Sequence, residues 1–311
     1  MENPERCVLC DGESYELVLT GRDRMRGLPG EFRVMRCMGC GLCRTEPRIP
    51  EEERAKYYEP EEQVQAGKAT RIGIYQKRLA DRLQRALGRS SGKRVLDIGC
   101  GQGVFLEMMR DRGFEVCGVE LGEESSRIAR EERGLSVVTG DLSDLDVEKE
   151  SFDAVLMSHL IEHVEDPIAL LERVRDLLKP GGIALLSLPN YRCIERRIFG
   201  ANWYPWCLPV HLYHFDKHSI RRAAERAGLI VEKITYLPFF FLVQNTRYAL
   251  KKDGQATGGG TGDALKTTVF KMNLAVSGML GRLMPGEIME IEIRKAALPQ
   301  TKDEREYAKT E

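Results

Sequence analysis

The sequence predicts an α/β fold in which helices cover a parallel, Rossmann-like sheet, preceded by a small cysteine-rich module. From residue 93 onward, segments typical of buried strands alternate with segments of helical periodicity. That alternation is typical of a parallel sheet with helices on both faces. Before it, short runs broken by Gly and Pro contain two C-x-x-C pairs. A length of 311 residues, at ~150 residues per domain, allows about two domains.

Hydrophobic periodicity and turn residues predict the individual elements. A leading helix covers residues 72–87, with apolar positions on one face. The predicted strands are 94–98, 114–120, 135–139, 154–157, 183–188 and 229–236. The predicted helices between them are 104–112, 123–132, 168–178 and 220–227. Residues 287–294 alternate in polarity and are the candidate for a closing strand.

These elements divide the chain into five segments. We expect a zinc ribbon at 1–48, a linker and leading helix at 49–92, and a cofactor-binding domain at 93–236. Residues 237–296 hold an apolar insert and the closing strand, and 297–311 form a charged tail. Within the insert, a Gly-rich linker at 254–262 precedes an apolar helix at 269–284. This helix could lie on a membrane surface, but packing on the acceptor pocket or on a second subunit is the preferred interpretation.

Composition excludes several classes of function. Lys and Arg total 47 against 48 Asp and Glu, so the net charge of −1 supplies no bulk field for a nucleic-acid backbone. No apolar run approaches the ~18 residues of a membrane span. The first residues carry charge and a proline instead of a signal sequence. We therefore expect a cytoplasmic protein without a nucleic-acid partner, with at most peripheral contact at the inner face of the membrane.

The nine cysteines indicate metal binding rather than disulfides. Cys7 and Cys10 form one C-x-x-C pair, and Cys37 and Cys40 form a second, separated from the first by 26 residues. Two such knuckles supply four thiolates to a tetrahedral zinc ion, the pattern of a zinc ribbon. Four thiolates leave no open position, so this zinc is expected to be structural. Cys43 repeats the spacing and is an alternative ligand.

The most informative segment is the glycine-rich turn after the first predicted strand of the sheet. Glycines at 99, 101 and 103 let the backbone pass close to a ligand, and a helix start faces an anionic group. A dinucleotide fingerprint, G-x-G-x-x-G, fails because Val104 occupies its sixth place. Asp97 at the strand end would repel a pyrophosphate but suits a cationic ammonium and sulfonium. The ligand that combines these groups is S-adenosylmethionine.

Two further acids follow the next strands at the same edge. Glu120 ends the second strand, where a carboxylate can accept both ribose hydroxyls. Asp141 and Leu142 follow the third strand in a GDL segment, where an acid can accept from the adenine amino group. We therefore expect Asp97, the three glycines, Glu120, Asp141 and Leu142 to bind the cofactor.

These motifs resemble the class I S-adenosylmethionine-dependent methyltransferases over roughly residues 70–235. The resembling pieces are VLDIGCGQG, the acid in CGVELG, GDL, FDAVLMSHLIEHVEDP and LKPGG. The resemblance implies a seven-stranded methyltransferase sheet whose last strand is antiparallel. It assigns the amino-acid end of the cofactor to the glycine loop, the ribose to Glu120 and the adenine to Asp141. A ribbon joined to this domain also resembles a bacterial arrangement found among envelope-sugar and quinone methyltransferases.

Histidines provide the candidate bases for the acceptor. His159, Glu162 and His163 follow the fourth strand and would share one face of a helical turn. Three roles remain open for them: scaffold beside the cofactor, general base, for which His159 is best placed, and divalent metal site. The block resembles the E-x-x-E-H of ubiquinone-pathway O-methyltransferases, but His159 replaces the first Glu, which weakens a magnesium assignment.

A second cluster, His211, His214 and His218, follows an aromatic loop that contains Trp203 and Trp206. His211 or His214 is an alternative base, although His214 could instead cap the next helix. Together these observations predict methyl transfer from S-adenosylmethionine to a hydroxyl, less favourably to carbon or nitrogen, of a small or lipid-linked acceptor such as a sugar or quinol. The alternatives are a zinc-ribbon binding or regulatory protein with a non-catalytic cofactor domain, and a nucleotide-cofactor oxidoreductase.

Overall fold

A computed structural model describes residues 6–57, 71–88, 92–250, 271 and 284–296. The strands are β1 Tyr15–Gly21, β2 Phe32–Cys37, β3 Cys43–Glu46, β4 Arg94–Ile98, β5 Glu115–Glu120, β6 Val137–Thr139, β7 Phe152–Ser158, β8 Leu178–Pro189, β9 Tyr213–His214, β10 Leu229–Leu237 and β11 Ile288–Lys295. The helices are α1 Glu51–Arg54, α2 Arg71–Leu87, α3 Val104–Arg110, α4 Glu123–Glu131, α5 Pro167–Leu177, α6 Ile194–Phe199, α7 Lys217–Arg226 and α8 Leu242–Leu250.

Seven strands form the large sheet, in the order β10-β11-β8-β7-β4-β5-β6. The five strands β8, β7, β4, β5 and β6 are parallel to one another. Strand β11 runs antiparallel to both of its neighbours, β10 and β8. This confirms the predicted seven-stranded α/β sheet and its antiparallel closing strand. The inner strands carry almost unbroken runs of buried apolar residues, as expected for strands covered on both faces. Strand β8 is longer than the predicted strand at 183–188, because it begins at Leu178, which pairs with Phe152 of β7.

Local sequence signals fix the ends of the helices that cover the sheet. Asp166 accepts hydrogen bonds from the backbone N–H groups of Ile168 and Ala169, and Pro167 occupies the first turn of α5. Such N-caps satisfy amides that have no partner within the helix. Asp216 and Ser219 form a reciprocal capping box at the start of α7. Asp216, and not His214, therefore caps α7.

A buried ion-pair network fastens the leading helix α2 to the closing strand β11. Arg78 and Arg82 both donate to the buried carboxylate of Glu290, at 2.7 and 2.6 Å. Arg82 also bonds Glu292, at 2.7 Å. Charge-assisted bonds of this kind fix geometry strongly when both partners are desolvated. They also help to fix Tyr75 of α2, whose hydroxyl lies 2.6 Å from that of Ser187 in β8.

The cysteine module contributes a second, four-stranded sheet, in the order β1-β2-β3-β9. Its first three strands lie within residues 1–48, but β9 comes from the segment that precedes α7. Thr45 in β3 also donates to the carbonyl of His211, at 2.6 Å. The module is therefore joined to the larger domain by main-chain pairing. The division of the chain at residue 48 stays a prediction.

The apolar insert lies largely outside the described residues. The glycine linker at 254–262 and the charged tail at 297–311 are not described, and of the apolar segment 269–284 only residues 271 and 284 are. Within the described residues, the insert contains the end of β10, α8 and β11. No helix among them has the length and apolarity needed to cross a membrane.

Candidate functional site

The glycine loop between β4 and α3 lies at the carboxyl edge of the parallel strands, where ligands of open α/β sheets bind. Gly99, Gly101 and Gly103 all have positive φ, at 73°, 52° and 76°. A Cβ added to Gly101 would meet no atom within 4 Å, whereas one on Gly103 would lie 2.4 Å from Leu135 Cδ1. Gly101 therefore borders open space that a ligand could fill, while Gly103 is required for packing of the domain itself.

The carboxylate of Glu120 holds this loop in place. Its Oε2 accepts from the backbone N–H of Gly101 at 2.7 Å, and its Oε1 accepts from that of Gly122 at 2.8 Å. Each carboxylate oxygen can accept a second hydrogen bond, so ribose hydroxyls remain acceptable partners. Glu120 thus has a shaping role in addition to the binding role predicted for it.

Asp97 is almost completely buried at the end of β4, with 2% of its surface exposed. Burial, together with the negative charge of Glu120, raises the pKa of Asp97 well above its usual value. A cationic group placed against this carboxyl would counteract both effects. The site is thus electrostatically suited to an ammonium or sulfonium group.

The acid after β6 lies at the same edge of the sheet, because β4, β5 and β6 are neighbours. Asp141 is exposed, and its Oδ1 accepts from the hydroxyl and the backbone N–H of Ser143, which lower its pKa. Leu142 is buried. Sequence reasoning passed over Leu121, an apolar side chain that follows Glu120 and is 71% exposed. An exposed leucine beside a polar site offers an apolar surface for a flat ring, a signal that only the structure provides.

His159 is the first candidate residue for the acceptor side of the site, and its backbone has a left-handed conformation. It has φ 55°, a conformation that costs a residue other than glycine ~1–3 kcal/mol and that clusters at functional sites. Its N–H donates to the carbonyl of Ser187 at 2.8 Å. This geometry excludes the helical turn that the sequence predicted. His159, Glu162 and His163 therefore lie on a non-helical turn and do not share one helical face.

The side chain of His159 is oriented by Glu162 and enclosed by aromatic rings. Its Nδ1 lies 3.3 Å from Glu162 Oε1. The rings of Tyr75 and Phe241 lie 6.4 and 6.3 Å from the imidazole, measured between centroids. The side chain keeps 29% of its surface exposed. An oriented imidazole with an accessible edge is suited to proton transfer.

Glu162, His163 and His211 form a buried cluster beside His159. Glu162 is 1% exposed, and its Oε2 has no hydrogen-bond partner among the described residues. The rings of His163 and His211 meet edge to face, 4.6 Å apart. One ligand atom from each of the three residues lies within 4.8 Å of the others. Nothing in the sequence predicts that these side chains lie together, because residue 211 is 48 positions beyond residue 163.

Burial sets the protonation of His211 and His214. It lowers the pKa of His211 well below 6.5 and that of His214 to about 3. His211 Nδ1 lies 2.9 Å from the carbonyl of Pro205, and His214 Nε2 lies 3.0 Å from Thr45 Oγ1. Both rings are therefore neutral at physiological pH. A strongly lowered pKa makes His211 a weaker proton acceptor than the sequence alone suggested.

The aromatic loop is fastened by Glu287, which the sequence analysis did not identify. This fully buried carboxylate accepts from the indole N–H of Trp203 and from the backbone N–H of Phe241, each at 2.8 Å, and from the amide of Asn245. Burial raises the pKa of Glu287 to about 7. Glu287 thereby positions the ring of Phe241 against His159.

A cavity of about 180 Å³ lies between the cysteine module and the aromatic loop. The first side is lined by Thr20, Gly21, Arg22, Arg24 and Met25, and the second by Ala201, Trp203, Tyr204, Trp206, Cys207, Leu208 and Tyr248. The ring of Tyr204, which lines this cavity, packs 5.0 Å from that of Phe241. The cavity therefore lies behind the aromatic wall that contacts His159.

The four predicted cysteine ligands converge. Cys7 Sγ lies 3.4 Å from Cys40 Sγ, and Cys10 Sγ lies 3.4 Å from Cys37 Sγ. All four sulfur atoms lie within 4.8 Å of one another. A tetrahedral site with Zn–S bonds of ~2.3 Å requires sulfur–sulfur distances of ~3.8 Å, which lies between these values. A Cβ on Gly12 would come within 3.3 Å of Cys10 Sγ. The knuckles thus fit a tetrahedral ion, and Cys43 lies outside the set.

Comparisons with known proteins identify the central domain. Residues 72–234, just over half of the chain, match a family model described as a methyltransferase domain. The ubiquinone biosynthesis O-methyltransferase of Cereibacter sphaeroides is 37% identical over 164 residues, which are 47% of this chain and 66% of that protein. The enzyme of the same name from Pseudomonas aeruginosa is 32% identical over 171 residues, 51% of this chain and 74% of that protein. The match thus spans about two thirds to three quarters of these relatives.

Solved structures with the same fold carry different activities. A candidate sarcosine dimethylglycine methyltransferase from Galdieria sulphuraria has a TM-score of 0.51 at 15% identity, over 77% of this chain and 91% of that chain. The [4+2]-cyclase SpnF has a TM-score of 0.50 at 19% identity, over 71% and 81%. At these identities the likeness concerns the fold alone.

Proposed function

The chain belongs to the S-adenosylmethionine-dependent methyltransferase family, and from this premise we propose that it methylates a hydroxyl oxygen of a small or lipid-linked acceptor. A quinol is the preferred acceptor, because the relatives described above are named ubiquinone biosynthesis O-methyltransferases. A sugar hydroxyl is the second choice. The observation that carries the proposal is His159, an oriented and partly exposed imidazole at the edge of the sheet that also holds the glycine loop.

The cofactor site follows from the edge formed by β4, β5 and β6. The methyl donor would lie across Gly101, whose Cβ position opens onto free space. Asp97 would neutralise its ammonium group, Glu120 would bind its ribose, and Asp141 with Leu142 would border its adenine. When bound, the donor supplies a methyl group on a positively charged sulfur, which an acceptor oxygen displaces in line.

His159 would remove the proton of the acceptor hydroxyl. Its Nδ1–H donates to Glu162, which leaves the lone pair of Nε2 as the proton acceptor. The hydroxyl proton passes to Nε2 as the oxygen bonds to the methyl carbon, and Glu162 stabilises the resulting imidazolium. The rings of Tyr75 and Phe241, which flank the imidazole, would limit the access of water to the reacting hydroxyl.

A pair of histidine variants tests this role. His159→Ala should lower turnover by the ~10²–10⁴ typical of a lost general base, while the dissociation constant for S-adenosylhomocysteine stays near that of the wild type. His218→Ala, which removes an exposed histidine from α7, is the matched control and should keep full turnover. Full turnover in His159→Ala would refute base catalysis by this residue. Loss of cofactor binding would place His159 in the scaffold instead.

We further propose that Cys7, Cys10, Cys37 and Cys40 hold one structural zinc ion. Their convergence and the glycine at the first knuckle support this assignment. The ion would stabilise the module that lines the cavity beside the aromatic loop. We also propose a cytoplasmic location, with peripheral membrane contact where the acceptor is lipid-linked.

A further inference from the structure

We propose that Thr45 of the cysteine module is a positioning residue for methyl transfer. It fixes the segment 210–214, and this segment holds the turn that carries Glu162 and His159. The role of His159 as the base rests on the proposed function above, whereas the series of contacts stands on the structure alone. The module is thereby part of the acceptor side of the site.

The hydroxyl of Thr45 is the first contact in the series. Thr45 lies in β3, and its side chain is fully buried. Because a carbonyl oxygen can only accept, Oγ1 donates to the carbonyl of His211, at 2.6 Å. That bond uses the single hydroxyl proton, so Oγ1 accepts from Nε2–H of His214, at 3.0 Å. One buried hydroxyl therefore fastens the chain at both residue 211 and residue 214.

The main chain between these two histidines forms hydrogen bonds on two sides. On the side of the module, the backbone N–H of Thr45 donates to the carbonyl of Leu212 at 3.0 Å, and β3 pairs with β9. On the other side, the N–H groups of Leu212 and Tyr213 both donate to the carbonyl of Glu162, at 2.8 and 3.2 Å. The side chain of Glu162 faces Nδ1 of His159 at 3.3 Å. A displacement of this segment therefore moves the group that orients the candidate base.

The other contacts of the module with the larger domain are less suited to this role. The hydroxyl of Tyr191 donates to the carbonyl of Gly41 at 2.8 Å, but neither residue belongs to the segment 210–214. Arg48 pairs with Glu165, and both side chains are partly exposed, so this ion pair contributes little.

Loss of the Thr45 hydroxyl has a larger consequence. It removes the hydroxyl partners of the buried His211 carbonyl and of the buried His214 imidazole at once. Buried polar groups that lose a partner are costly, so the segment is expected to shift until they find new ones.

Turnover kinetics of the full-length chain with a quinol acceptor test the proposal. Thr45→Val nearly keeps the shape of the side chain but removes both hydrogen bonds, and should lower kcat by roughly 10- to 100-fold, the scale of a ~1 Å misplacement. The metal content and the dissociation constant for S-adenosylhomocysteine should stay at wild-type values. Thr45→Ser, which keeps the hydroxyl, should restore kcat. Thr20→Val changes an exposed threonine of the same module and is the matched control, with wild-type kcat expected.

A double-mutant cycle distinguishes positioning of the base from a general loss of function. If Thr45 acts through His159, adding Thr45→Val to His159→Ala should lower turnover by less than ~2-fold, because the group that Thr45 positions is already absent. Independent effects would multiply instead. Multiplied effects, or a wild-type kcat in Thr45→Val, would overturn the proposal.

NMR of the imidazole rings gives a readout that does not depend on turnover. The chain has five histidines, and their ¹⁵N shifts show which ring nitrogen carries the proton in the neutral form. In the wild type and in Thr20→Val, His159 should carry it on Nδ1, toward Glu162. In Thr45→Val, this form should no longer dominate.

An unchanged His159 tautomer in Thr45→Val would contradict the positioning role. If Thr45→Val does not fold, Thr45→Ala carries both measurements with the same expectations. If the wild type transfers no methyl group to any hydroxyl while the His159 tautomer still responds to Thr45→Val, the proposed function fails and the contact series stands.

Discussion

Two alanine substitutions in the glycine loop should separate binding of the cofactor from packing of the domain. Gly101 and Gly103 share a positive φ, so alanine at either position costs ~1–2 kcal/mol of stability in the left-handed region. Their surroundings differ. A Cβ on Gly101 reaches open space, whereas one on Gly103 lies 2.4 Å from Leu135 Cδ1 and 3.1 Å from Ala129 Cβ.

Overpacking of that severity adds ~1–3 kcal/mol, because a methyl group must displace close-packed neighbours. Gly103→Ala should therefore lower the free energy of unfolding by roughly 2–5 kcal/mol, against ~1–2 kcal/mol for Gly101→Ala. Cofactor affinity should be affected in the opposite order, with the larger loss in Gly101→Ala. The methyl group of Gly101→Ala enters the volume assigned to the cofactor and should weaken its binding about tenfold or more, which is ~1.4 kcal/mol.

Urea denaturation gives the two unfolding free energies, and calorimetric titration with S-adenosylhomocysteine gives the two dissociation constants. The expected result is a stable Gly101→Ala variant with weak binding and a less stable Gly103→Ala variant. Wild-type affinity in Gly101→Ala would refute the placement of the cofactor across this glycine. Equal stability of the two variants would refute the packing role of Gly103.

Three further predictions concern separate parts of the molecule. Glu120→Ala should weaken S-adenosylhomocysteine binding by ~1.5–3 kcal/mol, roughly 10- to 150-fold, and an unchanged dissociation constant would exclude Glu120 from the site. Elemental analysis should find one zinc per chain at the cysteines and none there in Cys40→Ser; iron, or no metal in the wild type, would contradict the ribbon. The pKa of Glu287 is raised by burial to about 7 from 4.5, so its contribution to stability is complete below pH 4.5 and is lost as the pH rises through 7. Relative to Glu287→Gln, the wild type should therefore lose about 3 kcal/mol of unfolding free energy across that window, and a difference independent of pH would refute the shift.

The parts of the fold that could be predicted from the sequence are those determined by contiguous residues. The strand, glycine loop and helix from Arg94 to Arg110 are one local unit, and hydrophobic period and glycine positions specify it. The closing strand β11 was recognisable from its alternation. The convergence of the four cysteines followed from their spacing alone, because each C-x-x-C pair forms one tight turn.

Contacts between distant segments were not predictable in the same way. Strand β9 joins the cysteine module through two residues, too few to give a periodic signal. The hydrogen bond from Trp203 to Glu287 links residues 84 positions apart, and only the folded chain brings them together. The spacing between His159 and Glu162 predicts a helical turn. The left-handed backbone at His159, fixed by its bond to Ser187, overrides that local preference.

Identifying the atom that receives the methyl group tests the proposed O-methyl transfer most directly. The chain should be incubated with S-adenosylmethionine carrying a ¹³C-labelled methyl group and with quinol, catechol and sugar acceptors, and the product carbon observed by NMR. Methyl transfer to a hydroxyl with His159 as the base predicts a methoxy carbon, formed with the wild type and with His218→Ala and strongly reduced with His159→Ala. A methyl carbon bonded to nitrogen or carbon, or a methoxy product formed equally well by His159→Ala, would contradict it.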